Sequence, residues 1–180
     1  YFAIRRAMEE AAVTKKDISF VNAHGTATVY NDEMEAKAIH WAGLEAVPVN
    51  SMKSYFGHTL GASGVIESII CIHELKEKIV FGTLGYKEAG VSMPILVQEK
   101  HREMQMKHCL KTASGFGGCN AAIILSLPEY QQPGKETSGS KTMHTTTTVS
   151  IENSGLRLNG ESIFSSSATD FATFIREAYK

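Results

Sequence analysis

A layered α/β domain is the fold class this sequence predicts, and three observations carry that reading. Up to about Leu127, segments with apolar residues at helical spacing alternate with short apolar runs of strand length. One run, Ala121-Ala122-Ile123-Ile124-Leu125, lacks in-out alternation and fits a strand covered on both faces. Hydrophobic residues make up 43% of the 180-residue chain and charged residues 21%, which suits a packed core and lies outside the disordered range.

Phe2 to Val13 places Ile4, Met8 and Ala11 on one helical face, and Arg5 can meet Glu9 as Arg6 can meet Glu10, so a surface helix is expected. Ile18 to Ala23 reads as a buried strand that runs into His24-Gly25-Thr26-Ala27-Thr28. Asp32 to Leu44 repeats the helical period through Met34, Ala38 and Trp41, with acidic residues in the first turn and Gly43 near the stop. Val47 to Asn50 is a short strand, Ser51 to His58 a polar loop, and Leu60 to Lys78 a helix apolar on nearly every side, hence buried. Further strands are expected at Ile79 to Thr83, Ile95 to Gln98, Cys109 to Ala113 and Ala121 to Leu127, with a tight turn at Gly115-Phe116-Gly117-Gly118.

From Glu129 the composition changes. A Ser/Thr/Gly-rich stretch to residue 148 reads as linker. Residues 149–180 then read as short strands with an Asn159-Gly160 hairpin signal, followed by an amphipathic helix at Thr169 to Tyr179; this tail is too short for a core of its own and could begin another module. The chain enters its first helix at once, with no initiator Met or signal peptide, as a cut piece would.

A formal charge of -1 gives no electrostatic reason to expect a nucleic-acid or anionic-membrane partner. No apolar run nears the roughly 20 residues of a membrane span. The three cysteines, Cys71, Cys109 and Cys119, form no CxxC pair, so neither a disulfide framework nor a zinc site is indicated, and reduced thiols in the cytoplasm are expected.

Seven histidines are present without HExxH or other regular metal-ligand spacing. His24 and His58 differ from the rest because each joins an apolar element to a glycine-rich turn. Two neutral imidazoles aimed at one carbonyl oxygen would donate two N–H groups to the enolate developing there. Lys53, five residues before His58, would help keep that ring neutral, since a nearby cation disfavours protonation. The Gly115–Gly118 turn can expose backbone N–H groups as an oxyanion hole, or can simply join two strands.

Together, Asn22-Ala23-His24-Gly25-Thr26-Ala27-Thr28 with Asn31-Asp32 and Glu35, Lys53-Ser54-Tyr55-Phe56-Gly57-His58-Thr59-Leu60-Gly61-Ala62-Ser63-Gly64 with Glu67, and Gly115-Phe116-Gly117-Gly118-Cys119-Asn120 resemble the C-terminal half of β-ketoacyl-acyl-carrier-protein synthases. The resemblance covers about Tyr1 to Leu127 and implies half of a thiolase-like α-β-α-β-α layered fold, in a family that usually dimerises. It implies a Cys-His-His condensing site in which His24 and His58 bind the malonyl thioester and stabilise its enolate. Lys53 would organise the second histidine and Glu67 would pair with it. Phe116 would be the gate, with its turn, including Gly117, at the oxyanion hole; Thr26 and Asp32 would lend structural support. Substrates would be phosphopantetheine thioesters of acyl carrier protein, with no other cofactor. Expected partners are acyl carrier protein, the N-terminal half, and a second ketosynthase-like subunit in a homodimer or heterodimer.

The family's cysteine nucleophile belongs to that N-terminal half. Cys71, Cys109 and Cys119 match no nucleophile motif and are expected to be inert, so this segment alone should form no acyl-enzyme. Phe81-Gly82-Thr83-Leu84-Gly85-Tyr86 also departs from the family's usual Pro-Thr-x-Asn stretch. An alternative implied by the same resemblance is a non-catalytic partner subunit of the chain-length-factor type.

Overall fold

In the computed structural model, residues 1–130 are described in full, and three strands between residues 149 and 165 are described as backbone. Helix α1 (Phe2–Glu10) buries Ile4 and leaves its charged face outside, where Arg5 lies 3.4 Å from Glu9 and Arg6 2.9 Å from Glu10. It stops short of Val13 because Ala12 turns to a positive φ of 53°.

Strand β1 (Ile18–Asn22) is the centre of a five-stranded sheet and is buried along its whole length. β2 (Pro48–Asn50) and, beyond it, β4 (Leu96–Val97) lie parallel on one side. On the other side β6 (His108–Gly115) runs parallel to β1, and β7 (Cys119–Ser126) returns antiparallel as the edge. Helices α2 (Val29–Trp41) and α4 (Ser63–Glu77) are joined to this sheet by the loops that carry the site.

Successive residues of β1 serve opposite faces, as strand geometry requires. Phe20 packs with Cys71, Leu75, Val80, Met106, Cys109 and Leu125 in one apolar cluster. Its neighbour Val21 packs with Ile4, Ile39, Leu44, Val49 and Leu110 in another. A strand with a core on each side reads as a continuous apolar run, which is why Ile18 to Ala23 shows no polar face.

β7 does not follow suit. Coverage on both faces was expected for Ala121 to Leu125, yet Ala121 and Ile123 are exposed and only Leu125 is fully buried. As the sheet edge, β7 has one sheet neighbour, and its apolar residues outrun the core this chain provides. Helix α4 shows the same division: Ile70 to Leu75 are buried, whereas Val65 in its first turn is 62% exposed.

Several boundaries also move. Helix α2 starts at Val29 rather than Asp32. The expected polar loop contains a four-residue helix, α3 (Lys53–Phe56), too short to show a period. Leu60–Ala62 forms a 3₁₀ turn before α4. The strand expected over Ile79 to Thr83 shortens to β3 (Ile79–Val80), which pairs antiparallel with β5 (Arg102–Glu103), a strand the pattern did not signal.

β8 (Val149–Glu152), β9 (Gly155–Leu158) and β10 (Glu161–Ser165) form an antiparallel sheet with β9 in the middle, one strand more than the hairpin expected. Most of the expected linker, from residue 131 on, and the helix expected at Thr169 to Tyr179 lie outside the described residues. Among the described residues no helix is long and apolar enough to cross a membrane, and no group of His, Cys, Asp and Glu could hold a metal ion.

Candidate active site

The parallel strands β1 and β2 end side by side, and their C-terminal ends carry the two loops with the candidate residues. Asn22 and Asn50, the last residues of the two strands, pair directly, with Asn22 Nδ2 donating to Asn50 Oδ1 at 2.8 Å. Beyond Asn22 the chain turns through Gly25 at a φ of +48°, where a Cβ would sit 2.6 Å from Ser51 Oγ. Only glycine fits that approach, which lets Ser51 Oγ donate to the Gly25 carbonyl at 3.0 Å.

Glu35 on α2 anchors the first loop. Its Oε1 accepts the His24 N–H at 2.9 Å and its Oε2 the Gly25 N–H at 2.7 Å. Thr112 Oγ1 on β6 donates to Glu35 Oε1 at 2.7 Å, and Asn31 Nδ2 donates to Oε2 at 3.0 Å. One turn earlier, Asp32 Oδ1 accepts the Thr26 N–H at 3.1 Å. Asp32 thus fixes the Thr26 backbone, and Thr26 makes a further 2.7 Å hydroxyl contact with Thr28.

His24 and His58 come together edge to face, with ring centroids 5.1 Å apart and planes at 84°. Gly57, at φ 74° and ψ -177°, occupies backbone space open to glycine alone and turns the chain into His58. His58 Nδ1 accepts the Leu60 N–H at 3.1 Å and meets Ser63 Oγ at 3.0 Å. A ring nitrogen that accepts a backbone N–H carries no proton of its own, which assigns the proton of the neutral ring to Nε2.

Lys53 stands against His24, not His58, and this corrects the expectation that it organises the second histidine. Its Nζ donates to the His24 carbonyl at 2.5 Å, to Glu67 Oε1 at 2.5 Å, and lies 3.1 Å from His24 Nδ1. An ammonium has only donors, so three partners use its three hydrogens, and His24 too is left with its proton on Nε2. Burial first, then the Lys53 charge, holds His24 below the ordinary imidazole range. Burial likewise lowers Lys53 from the usual lysine value, opposed by its bond to Glu67.

The sequence pattern gave no role to Lys111, which lies on β6 with its Nζ 2.7 Å from Glu67 Oε2 in a buried ion pair. A lone lysine inside Cys109-Leu110-Lys111-Thr112-Ala113 was the available signal, because a charge in a buried strand requires a partner. Glu35 was part of the first motif but was given no role, and Glu74 was missed. Glu74 is fully buried on α4, and its Oε1 accepts Asn50 Nδ2 at 2.6 Å and the Phe81 N–H at 2.7 Å. Burial pushes its carboxyl up to about 8.

The third motif behaves differently. Phe116 is 97% exposed at the tip of the β6–β7 turn, and Gly117 and Gly118 carry positive φ values of 81° and 80°. Cys71 and Cys109 pack in the core as expected, and burial raises the Cys71 thiol. Cys119 does not: it is exposed at the start of β7.

An α/β sheet whose strand ends present two donor imidazoles, backed by a buried lysine–glutamate pair, defines half of a thiolase-like protein. Residues 1–87 match the family described as beta-ketoacyl synthase, C-terminal domain. 3-Oxoacyl-acyl-carrier-protein synthase 2 of Vibrio cholerae is 36% identical over 128 residues, covering 68% of this chain and 31% of that protein. The ketoacyl synthase alpha subunit of the tetracenomycin polyketide synthase of Streptomyces glaucescens is 35% identical, covering 71% and 31%. Among solved structures, the ishigamide ketosynthase/chain length factor superposes with a TM-score of 0.65 at 30% identity, covering 68% of this chain and 31% of that one. The chain belongs to the β-ketoacyl synthase family and corresponds to its C-terminal half. It spans about a third of the length of the curated relatives it matches.

Proposed function

We propose that this chain supplies the two-histidine half of a decarboxylative condensing site, which joins an acyl group to malonyl-acyl-carrier-protein to give a 3-oxoacyl product in fatty-acid or polyketide synthesis. The observation that carries this reading is the matched hydrogen bonding of His24 and His58, whose rings meet edge to face. Each ring uses Nδ1 as an acceptor and keeps Nε2–H free to donate to the malonyl thioester oxygen. Loss of carbon dioxide from the malonyl group leaves negative charge on that oxygen, and two preorganised donors stabilise it more than they stabilise the neutral carbonyl. A depressed His24 pKa suits this role, since the ring stays neutral near neutral pH and donates its Nε2–H as a hydrogen bond without handing the enolate a proton.

In this reading Lys53 and Glu67 hold His24, Phe116 gates the acyl pocket, and the Phe116 and Gly117 turn contributes the oxyanion hole for acyl transfer. The cysteine nucleophile, the remainder of the fold and the docking surface for acyl carrier protein come with the missing half and a second ketosynthase-like subunit, in the cytoplasm. Residues 1–128 then form the catalytic segment, 129–148 a linker, and 149–180 part of another module. A chain-length-factor role is the weaker reading, because a subunit doing no chemistry has no need of a buried, fully assigned His–Lys–Glu constellation.

The test is malonyl-thioester decarboxylation by the protein that carries this segment, compared with its His24→Ala and His58→Ala variants. Both variants should lose decarboxylation by about a hundredfold or more while acyl loading is less affected. Equal decarboxylation by all three proteins would remove the proposed role.

A further inference from the structure

Residues 111 and 112 of β6 reach His24 by two routes. The backbone route passes from Thr112 Oγ1 to Glu35 (2.7 Å) and from Glu35 to the His24 N–H (2.9 Å). The side-chain route runs from Lys111 to Glu67 (2.7 Å), from Glu67 to Lys53 (2.5 Å), and from Lys53 to His24 Nδ1 (3.1 Å). Lys111 Nζ also donates to the Thr112 carbonyl, which closes the two routes into one ring of contacts around the histidine. Every side chain on the second route is buried: Lys53 is 8% exposed, Glu67 4% and Lys111 2%.

One lysine would neutralise Glu67; two are present. Lys53 occupies Oε1, and without Lys111 the second oxygen would be a buried acceptor with no cation beside it. A carboxylate left in that state draws Lys53 toward its bare oxygen, which loosens the contact that keeps a proton off His24 Nδ1. We propose that Lys111 is a positioning residue for His24: by occupying the second oxygen of Glu67 it holds Lys53 on the Nδ1 edge of the ring and so fixes the Nε2–H donor form. This rests on the reading of His24 as the donor to the thioester oxygen.

The charged and titratable groups that face His24 are Glu35 from α2, Lys53 from α3, Glu67 from α4, Lys111 from β6, and His58 across the ring edge. Lys53 and Lys111 both disfavour protonation of the ring, and Glu35 and Glu67 both favour it. Removing Lys111 leaves the favouring side stronger. The imidazole of Lys111→Met should then titrate at higher pH than in the unmutated protein.

The experiment is nitrogen-15 NMR of histidine-labelled protein over a pH series, with Lys111→Met, Lys111→Arg and the unmutated chain. Expected are an unprotonated Nδ1 on neutral His24 in the unmutated chain, an upward titration shift in Lys111→Met, and a return toward the unmutated curve in Lys111→Arg. Loss of packing alone would weaken both variants without separating their His24 titrations. An Nδ1–H tautomer of His24 in the unmutated chain overturns the proposal whatever the variants do, and so does an unchanged His24 titration in folded Lys111→Met. Because the spectrum needs no substrate, a failure of malonyl decarboxylation counts against the proposed function and leaves this test standing.

Discussion

The two histidine loops and the glycine-rich turn both carry family motifs, but this chain treats them in opposite ways. Around His24 and His58 nearly every polar atom has a partner within the chain: Glu35 holds the first loop by two backbone N–H groups, and Lys53 spends all three hydrogens. At the tip of the β6–β7 turn Phe116 stands 97% exposed beside two positive-φ glycines. One region is held by its own chain, and the other is left open by it. Under the proposed function this division is the expected one, since donors that stabilise developing charge must hold a fixed orientation whereas a gate has to move.

This contrast is most severely tested at Glu67. Glu67→Ala leaves the buried Lys53 and Lys111 uncompensated, and urea unfolding should show a loss of roughly 3–5 kcal/mol. A loss below about 1 kcal/mol would mean that the lysines find water or other partners, and that the region is less tightly built than its distances suggest.

Next in size is a pH effect centred on Glu74. Its folded-state carboxyl titrates at about 8 against an ordinary 4.5, so the folded protein keeps the proton that the unfolded chain releases. The stabilisation is therefore complete below about 4.5 and is lost as pH rises through about 8, by up to about 1.4 kcal/mol for each pH step between them. Glu74→Gln keeps the shape without the titration, and a stability profile measured from pH 5 to 9 should be flatter in the variant than in the parent. Parallel profiles would show that Glu74 is ionised in the fold.

Gly25→Ala probes the loop backbone. The new methyl would lie 2.6 Å from Ser51 Oγ at a φ of +48°, and the cost should be roughly 1–3 kcal/mol by thermal unfolding. Smallest of all is Phe116→Ala, for which unfolding should change by no more than about 0.5 kcal/mol because the ring touches so little of its own chain. Condensation by the protein carrying this segment should nonetheless slow, and a large stability loss here would erase the contrast between the two regions.

Much of this architecture was legible from residue order because it rests on local periodicity. Ile18 to Ala23 was recognisable as a buried strand, and Arg5, Arg6, Glu9 and Glu10 as a helix surface. Elements too short to show a period were not: α3 has four residues, and β3 and β5 two each. Spacing drew His24, His58 and Lys53 into one site but assigned the lysine to the nearer histidine in sequence. The pairing of β1 with β2 instead brings Lys53 to a histidine 29 residues away, and sequence proximity carries no information about that.

By itself the sequence determined the layered α/β class, the loops that carry His24 and His58, and the glycines that let those loops turn, because each follows from periodicity or from backbone freedom at single residues. Only the tertiary structure decided which nitrogen of each imidazole holds the proton, that Lys111 and Lys53 share Glu67, and that β7 and Phe116 lie open. Those outcomes depend on distances between residues far apart in the chain, and in a low-dielectric interior such distances set charge, tautomer and exposure alike.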